Sequence, residues 1–210
     1  MYAAINEGIR VTNTEWCTYV NGDDLLYPKA MQALYERISA PDDIIYGNSD
    51  FIDNMGRFIS SWNSPPPEEI YKIASLGVNP IQQLGTVFRR KVFDDLGGFD
   101  AEFQFLGDFD FFLRAMLKRR KFRVESRLVL GAFRVHHGQL SQNHSACKRE
   151  AAESLRRNDV KPESKLFFNS LLRFRGRNWA NYFVRILRGY QLTGRFRFQR
   201  TLSIVQTDSL

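Results

Sequence analysis

Long apolar runs are missing from this 210-residue sequence. None approaches the roughly 18 residues that a helical bilayer span requires, which excludes that class. The opening residues, MYAAINEGIRVTNTE, lack the basic-then-apolar order of a secretory signal. Cysteine is scarce. Cys17 and Cys147 stand far apart at no metal-binding spacing, and although two thiols could in principle pair, they suit a reducing cytosol. No internal repeat is visible.

What is present fits one domain with a sizeable core and room for a small appendage. Hydrophobic residues at 43% and charged residues at 25% are ordinary for a globular chain, but 18 Phe are not, and they predict a core or surface rich in rings. The charge is lopsided. Residues 1–143 carry 16 Lys+Arg against 18 Asp+Glu, and residues 144–210 carry 14 against 5. The front is therefore net −2 and the tail net +9. Acids gathered in the front suit a metal or catalytic site. A basic, aromatic tail suits an anionic surface, phosphate-rich or lipid.

The pattern along the chain predicts a helix over 2–12 and a buried strand, WCTYV, at 16–20. The turn NGDD follows at 21–24, and Pro28 opens a helix at the position where its missing N–H costs least. DDIIYGNSDFID at 42–53 reads as a strand and a second extended segment, with a hairpin turn at NMGR, 54–57. Pro65, Pro66 and Pro67 mark a loop before a helix at 68–76. GTVFRR at 85–90 is a strand running into a helix that Gly97 and Gly98 stop. A strong helix covers 107–119, FRVE and LVLGAFRVHH are strands, and the pattern from about 145 is helical and basic. Alternating strands and helices with a hairpin predict an α/β layer fold with a mixed sheet. The domain boundary is expected in a loop after Ser141, giving residues 1–143 and a tail, 144–210.

Three motifs could carry chemistry. Asp23 and Asp24 are adjacent carboxylates after a buried strand, costly together unless something positive neutralises them. A divalent ion holding a diphosphate is one answer, since hard oxygen ligands suit magnesium or manganese. A plain turn, with Asp24 capping the helix region at Pro28, is another. Asp108 and Asp110 begin the 107–119 helix and point about 200° apart by the 3.6-residue repeat, so they do not act as a pair. A first-turn carboxylate can be a catalytic base on a rigid element, or merely a partner of the helix dipole. His136 and His137 end a strand on opposite faces, so one of them can meet a site, with Arg134 near enough to hold phosphate.

The order of these motifs resembles the family-2 glycosyltransferases across about residues 2–143. The segments that carry the resemblance are AINEG at 4–8, NGDDLLYP, IIYGNSDFIDNMG, TVFRRKVFDDLGGFDAEF, GDFDFFLRA and the Arg-x-His-x-Gly-x-x-Ser run RVHHGQLS. The resemblance implies an incomplete, Rossmann-like GT-A domain, a nucleotide-sugar donor, a saccharide or lipid-linked acceptor, and Mn2+ or Mg2+. Asp23, Asp24, Asn6 and Arg134 match donor-binding positions, Asp24 and His136 match the metal positions, and Asp108 matches the general base. Arg134 and Ser141 flank His136. Two departures stand out. Gly107 occupies a position that is often Glu in the family. The two strand–helix units with which the family begins, bearing the base-binding acid, have no counterpart here, so the resemblance implies a chain truncated at its N-terminus.

The implied reaction is a single displacement at the sugar's anomeric carbon, in which one carboxylate base with no nucleophilic partner predicts inversion. The family commonly builds bacterial cell-surface polysaccharide, which would place the protein in the cytoplasm, peripherally at the inner face of the membrane. The tail, RFRGRNWANYFVRILRGYQLTGRFRFQR, reads either as an interfacial helix on anionic lipid, with Trp179, Phe183, Ile186, Leu187 and Tyr190 on one face, or as a helix packed on the catalytic domain. Two further readings stay open: a non-catalytic fragment of such an enzyme and, ranked last because the front is acidic, a basic nucleic-acid-binding module.

Overall fold

The computed structural model describes residues 1–39, 41–136, 143–161, 166–179 and 183. Along the chain the elements are α1 (Tyr2–Val11), β1 (Trp16–Cys17), β2 (Leu25–Leu26), α2 (Pro28–Tyr35), β3 (Ile44–Ile52), β4 (Phe58–Trp62), α3 (Pro67–Ala74), β5 (Thr86–Arg89), α4 (Arg90–Leu96), α5 (Gly107–Leu117), β6 (Phe122–Arg134), α6 (His144–Arg157) and α7 (Leu166–Arg177). The sheet runs β1-β5-β3-β6-β2, with β4 against the end of β3. β6 is parallel to β3, while β4 and β5 are antiparallel to it. The sheet is thus mixed and the fold is α/β, consistent with the Rossmann-like GT-A expectation.

β3 is central, and its composition follows from that place. Ile44 and Tyr46 face one side of the sheet and Ile45 the other, the period-two alternation of a strand. On the first side lie α1, α4 and α5, through Tyr2, Ile9, Val92, Phe93, Phe111 and Phe112. On the second lies α2, through Leu34, against Val87 and Leu130. The abundance of phenylalanine is explained in the first layer, where Phe88, Phe93, Phe99 and Phe111 surround one another at centroid separations from 4.5 to 6.5 Å. Removing one such ring costs about 3–5 kcal/mol.

α5 is apolar nearly all round because it is buried nearly all round. Phe111, Phe112 and Ala115 face the first layer, and Phe109 and Leu113 face Ala74 of α3 and Ala151 of α6. Gly97 and Gly98 end α4 at φ +75° and +81°, as the sequence predicts.

Three expectations change. WCTYV keeps only Trp16–Cys17 as strand, although Thr18 still donates to the Thr86 carbonyl at 2.8 Å. The two extended pieces of 42–53 are one strand, β3. FRVE and LVLGAFRVHH are also one strand, β6, whose register slips opposite Gly47–Ser49, and the irregularity falls where the sequence suggested a break.

The basic helices pack on the front. Ala151 and Val160 join Phe109 and Leu113. Leu171 and Phe174 of α7 bury Ile73 of α3, and Asn178 bonds both backbone polar groups of Asn63. Leu171, Phe174 and Asn178 are thus packed on the front, while Trp179 and Phe183 are exposed. Ile186, Leu187 and Tyr190 lie outside the described residues, as do His137 and Ser141. Among the described residues, no helix is long and apolar enough to cross a membrane.

Candidate functional site

The turn Asn21–Asp24 leaves the end of β1 and is held from several directions. The Asp24 N–H donates to the Asn21 carbonyl at 3.1 Å. The Asp24 carboxylate is buried; one oxygen accepts the Arg134 backbone N–H at 2.9 Å and the other the Asn21 amide at 3.1 Å. It does not cap α2, whose N-cap is Tyr27 with no side-chain cap. Burial pushes its pKa above the ordinary carboxylate range, and the neighbouring Asp23 charge adds to this against the two hydrogen bonds.

The same turn is tied to β6. β2 pairs with Gly131 and Ala132, and a Cβ at Gly131 would strike the Leu25 carbonyl oxygen. Glycine at 131 is what lets the turn lie this close. The Arg134 guanidinium then donates to the Asp23 carbonyl at 2.7 Å and to the carbonyls of Asp53 and Asn54 at 3.1 and 3.2 Å. Beyond it, His136 Nε2 stands 2.8 Å from the half-exposed Asp23 carboxylate, an ion pair when the imidazole is protonated.

The second acid, Asp108, sits in the first turn of α5. One carboxylate oxygen lies 3.3 Å from the Tyr2 hydroxyl, the other accepts the Asn79 amide at 3.2 Å, and the Phe109 N–H adds a backbone bond. Burial raises its pKa above the usual aspartate value, and those three donors oppose the rise. Asp110 differs, as the helical repeat predicts. It is buried and bonds Arg114 at 2.7 Å, the Ser154 hydroxyl at 2.8 Å and the Asn158 amide at 3.3 Å. Arg114 in turn donates to the carbonyls of Leu96 and Gly98. Asp110 therefore locks α5 to α6 and to the end of α4.

A cleft of ≈ 750 Å³ brings Asp23, Asp24 and Asp108 onto one lining, with Tyr19, Asn79 and Gln104 among the polar residues and Phe51 and Phe133 among the apolar ones. Tyr19 feels both ends: burial raises its pKa first, then the charges of Asp108 and Asp24. Glu150 of α6 supports the rim by accepting the N–H groups of Gln104, Phe105 and Leu106, each at 2.8 Å.

Not every expected residue reaches the cleft. Asn6 is buried, with its amide oxygen accepting the Phe99 N–H at 2.9 Å and its amide nitrogen donating to the Phe99 carbonyl at 2.7 Å. Both halves of the side chain fix α1 to the segment after α4, so Asn6 is placed as a structural clamp and is not on the cleft lining. Arg134 shapes the aspartate turn from behind. The carboxylate on His136 is that of Asp23, whereas the metal pair expected from sequence was Asp24 with His136. Tyr2, Tyr19, Asn79 and Glu150 carried no sequence signal, because each meets its partner only through the fold.

The donor set fits a hard divalent cation in part. Among the described residues, no three His, Cys, Asp or Glu side chains converge as a metal-binding group. Asp23 with His136 beside it is at most a two-group partial set, of the kind a cation completes with water and substrate phosphates.

Comparison with known proteins bears on this geometry. Residues 1–97 match the family model described as glycosyl transferase family 2. That stretch contains Asp23 and Asp24 and ends before Asp108. Over 157 residues the chain is 23% identical to an uncharacterised glycosyltransferase of Rickettsia felis, a match covering 69% of this chain and 26% of that protein. The chain thus spans about a quarter of the length of the curated relative it matches.

Proposed function

We propose that this chain, whose residues 1–97 match the glycosyl transferase family 2 model, takes part in moving a sugar from a nucleotide-sugar donor to a saccharide or lipid-linked acceptor with inversion, in cell-surface glycan synthesis. The observation that carries the reading is the shared cleft, with the Asp23–Asp24 turn at one part of its lining and Asp108 at another.

The division of labour follows from the surroundings of each acid. Asp108 is the general base. It accepts the proton of an acceptor hydroxyl while that oxygen bonds the anomeric carbon and the bond from that carbon to the nucleoside diphosphate breaks. The base must be ionised to act, and the donors around it oppose the effect of burial toward that end. Asp23 and His136, with Asp24 beside them, would hold Mn2+ or Mg2+. Such an ion, when bound, supplies positive charge against the leaving diphosphate. A lone carboxylate base makes inversion the expected stereochemistry.

The test is an assay of sugar transfer from a panel of nucleotide-sugars, with the anomeric configuration of the product read by NMR. Transfer with inversion, lost in Asp108→Asn, is expected. Transfer with retention, or full activity in that variant, would overturn the assignment of Asp108.

A peripheral site at the inner face of the membrane belongs to the same reading. Phe168, Leu172, Trp179 and Phe183 are exposed at spacings of four, seven and four residues, and the Trp179 and Phe183 rings are 6.4 Å apart. Arg175 lies within this row, and the 144–210 region carries net +9. Rings and arginines together suit an anionic lipid surface.

A further inference from the structure

Gly107, immediately before Asp108, has the Tyr2 ring where a side chain would be. A Cβ built there would lie 2.6 Å from Tyr2 Cε2 and 2.8 Å from Tyr2 Cζ. Ring atoms do not yield at such a distance, so any larger residue at 107 must displace Tyr2. The ring is 2% exposed and stacks on Phe99 at 5.7 Å, which leaves its hydroxyl directed at the start of α5. That hydroxyl has one hydrogen and two acceptors in reach, Asp108 Oδ1 at 3.3 Å and the Phe105 carbonyl at 3.4 Å, and the ionised oxygen is the stronger of the two.

We propose that Tyr2 and Asn79 are positioning residues for the Asp108 carboxylate, one donor to each oxygen, and that Gly107 is required so that the Tyr2 ring can reach it. This inference rests on Asp108 being the base. A carboxylate has about four acceptor sites, so holding each oxygen once fixes the plane of the group and leaves a lone pair for an incoming hydroxyl proton. Tyr2 is suited to this because burial, then the Asp108 charge, drives its phenol far above the ordinary tyrosine range, so it remains a donor. The other titratable groups around Asp108 are Tyr19, across the cleft lining, and Cys147 of α6, whose thiol is pushed up by burial and then by the charges of Glu150 and Asp108. Among the described residues none of these is a cation, and the side-chain donors to the carboxylate are Tyr2 and Asn79.

The test compares Tyr2→Phe, Asn79→Ala, the double variant and Gly107→Ala with wild type, reading the Asp108 carboxyl titration by 13C NMR, the pH profile of kcat/KM, and thermal melting. Both donors favour the ionised form, so each loss moves the Asp108 titration upward, and the double variant moves it furthest. At fixed pH, kcat falls about ten- to a hundredfold with KM nearly unchanged, the signature of a misplaced base. Tyr2→Phe keeps the ring and hence the packing, so its melting temperature stays near wild type. Gly107→Ala reproduces the titration change although Tyr2 is intact. An unchanged Asp108 titration in Tyr2→Phe and Asn79→Ala overturns the positioning role. If Asp108→Asn itself keeps full activity while the titrations do shift, the base assignment fails instead and the hydrogen-bond geometry stands.

Discussion

The acids of the cleft and the acids of the scaffold are held in different ways. Asp24 is bound by a backbone N–H and a side-chain amide, and Asp108 by a phenol, an amide and a backbone N–H. Five scaffold carboxylates are held by guanidinium groups, Asp110 by Arg114, Asp42 by Arg123, Asp95 by Arg120, Glu69 by Arg173 and Glu153 by Arg156 and Arg157, while Glu150 and Asp50 take neutral donors. Neutral donors fix an oxygen in place but do not cancel its charge. A full cation does both, and hydrogen bonds from Arg156 and Arg157 push half-buried Glu153 down to about 2. The cleft therefore keeps negative charge available, for a proton at Asp108 and for a cation near Asp23 and Asp24. The scaffold uses its charges to join elements.

Asp108 and Asp110 sharpen this comparison because they stand two residues apart on one helix. The largest effect is expected for Asp108→Asn, which should cut turnover by about two to four orders of magnitude in steady-state assays. Its melting temperature at neutral pH should not fall. The fold raises the pKa of Asp108, so the folded state binds its proton more tightly than the unfolded state does. The ionised group then costs stability above the folded pKa, and that cost shrinks as pH falls through it and is gone below the unfolded pKa. Asp110→Ala should do the reverse. It leaves Arg114 without its partner, which costs about 3 kcal/mol for a mostly buried pair, or about 6–12 °C in melting temperature by calorimetry. A large stability loss in Asp108→Asn, or none in Asp110→Ala, would break the contrast.

A second expected effect concerns pH. The acidic limb of kcat/KM should lie above the ordinary aspartate pKa of 3.8, with activity falling as pH drops through the raised value of Asp108. A limb at or below 3.8 would show that the acid in use is one the fold has not raised. Smaller still is Glu150→Gln. The amide keeps the shape but carries one acceptor oxygen where the carboxylate has two serving three N–H groups. About 1–2 kcal/mol of stability should be lost, with a few-fold rise in acceptor KM as the 104–106 rim loosens. The smallest is expected for Trp179→Ala, which should weaken binding to anionic vesicles several-fold in sedimentation while melting stays unchanged, since Trp179 is 65% exposed.

Much of the fold was legible because it is written in local signals. Pro28 opens α2 at its first residue, Gly56 turns the β3–β4 hairpin at φ +79°, and the helical repeat separated Asp108 from Asp110, whereas Pro67, read as loop, is the first residue of α3. Where the reading failed, a partner distant in sequence decided the outcome. WCTYV has strand composition, but β5 pairs with only Trp16 and Cys17 of it. Asn6 matches a donor-binding position only through the family resemblance, and Phe99 takes both of its hydrogen-bonding groups. Tyr2 and Asn79 lie 106 and 29 residues from Asp108, so no local pattern could mark them. The turn at Asp23 and Asp24 was visible as a cluster of acids, but which of them meets His136 depends on how β6 lies against β2.

The most direct test of the division between a cation end and a proton end is calorimetric titration of a nucleoside diphosphate with and without manganese, in wild type, Asp23→Asn and Asp108→Asn. Binding that requires manganese, is lost in Asp23→Asn and persists in Asp108→Asn is the predicted result. Binding indifferent to manganese, or equal in all three proteins, would contradict it.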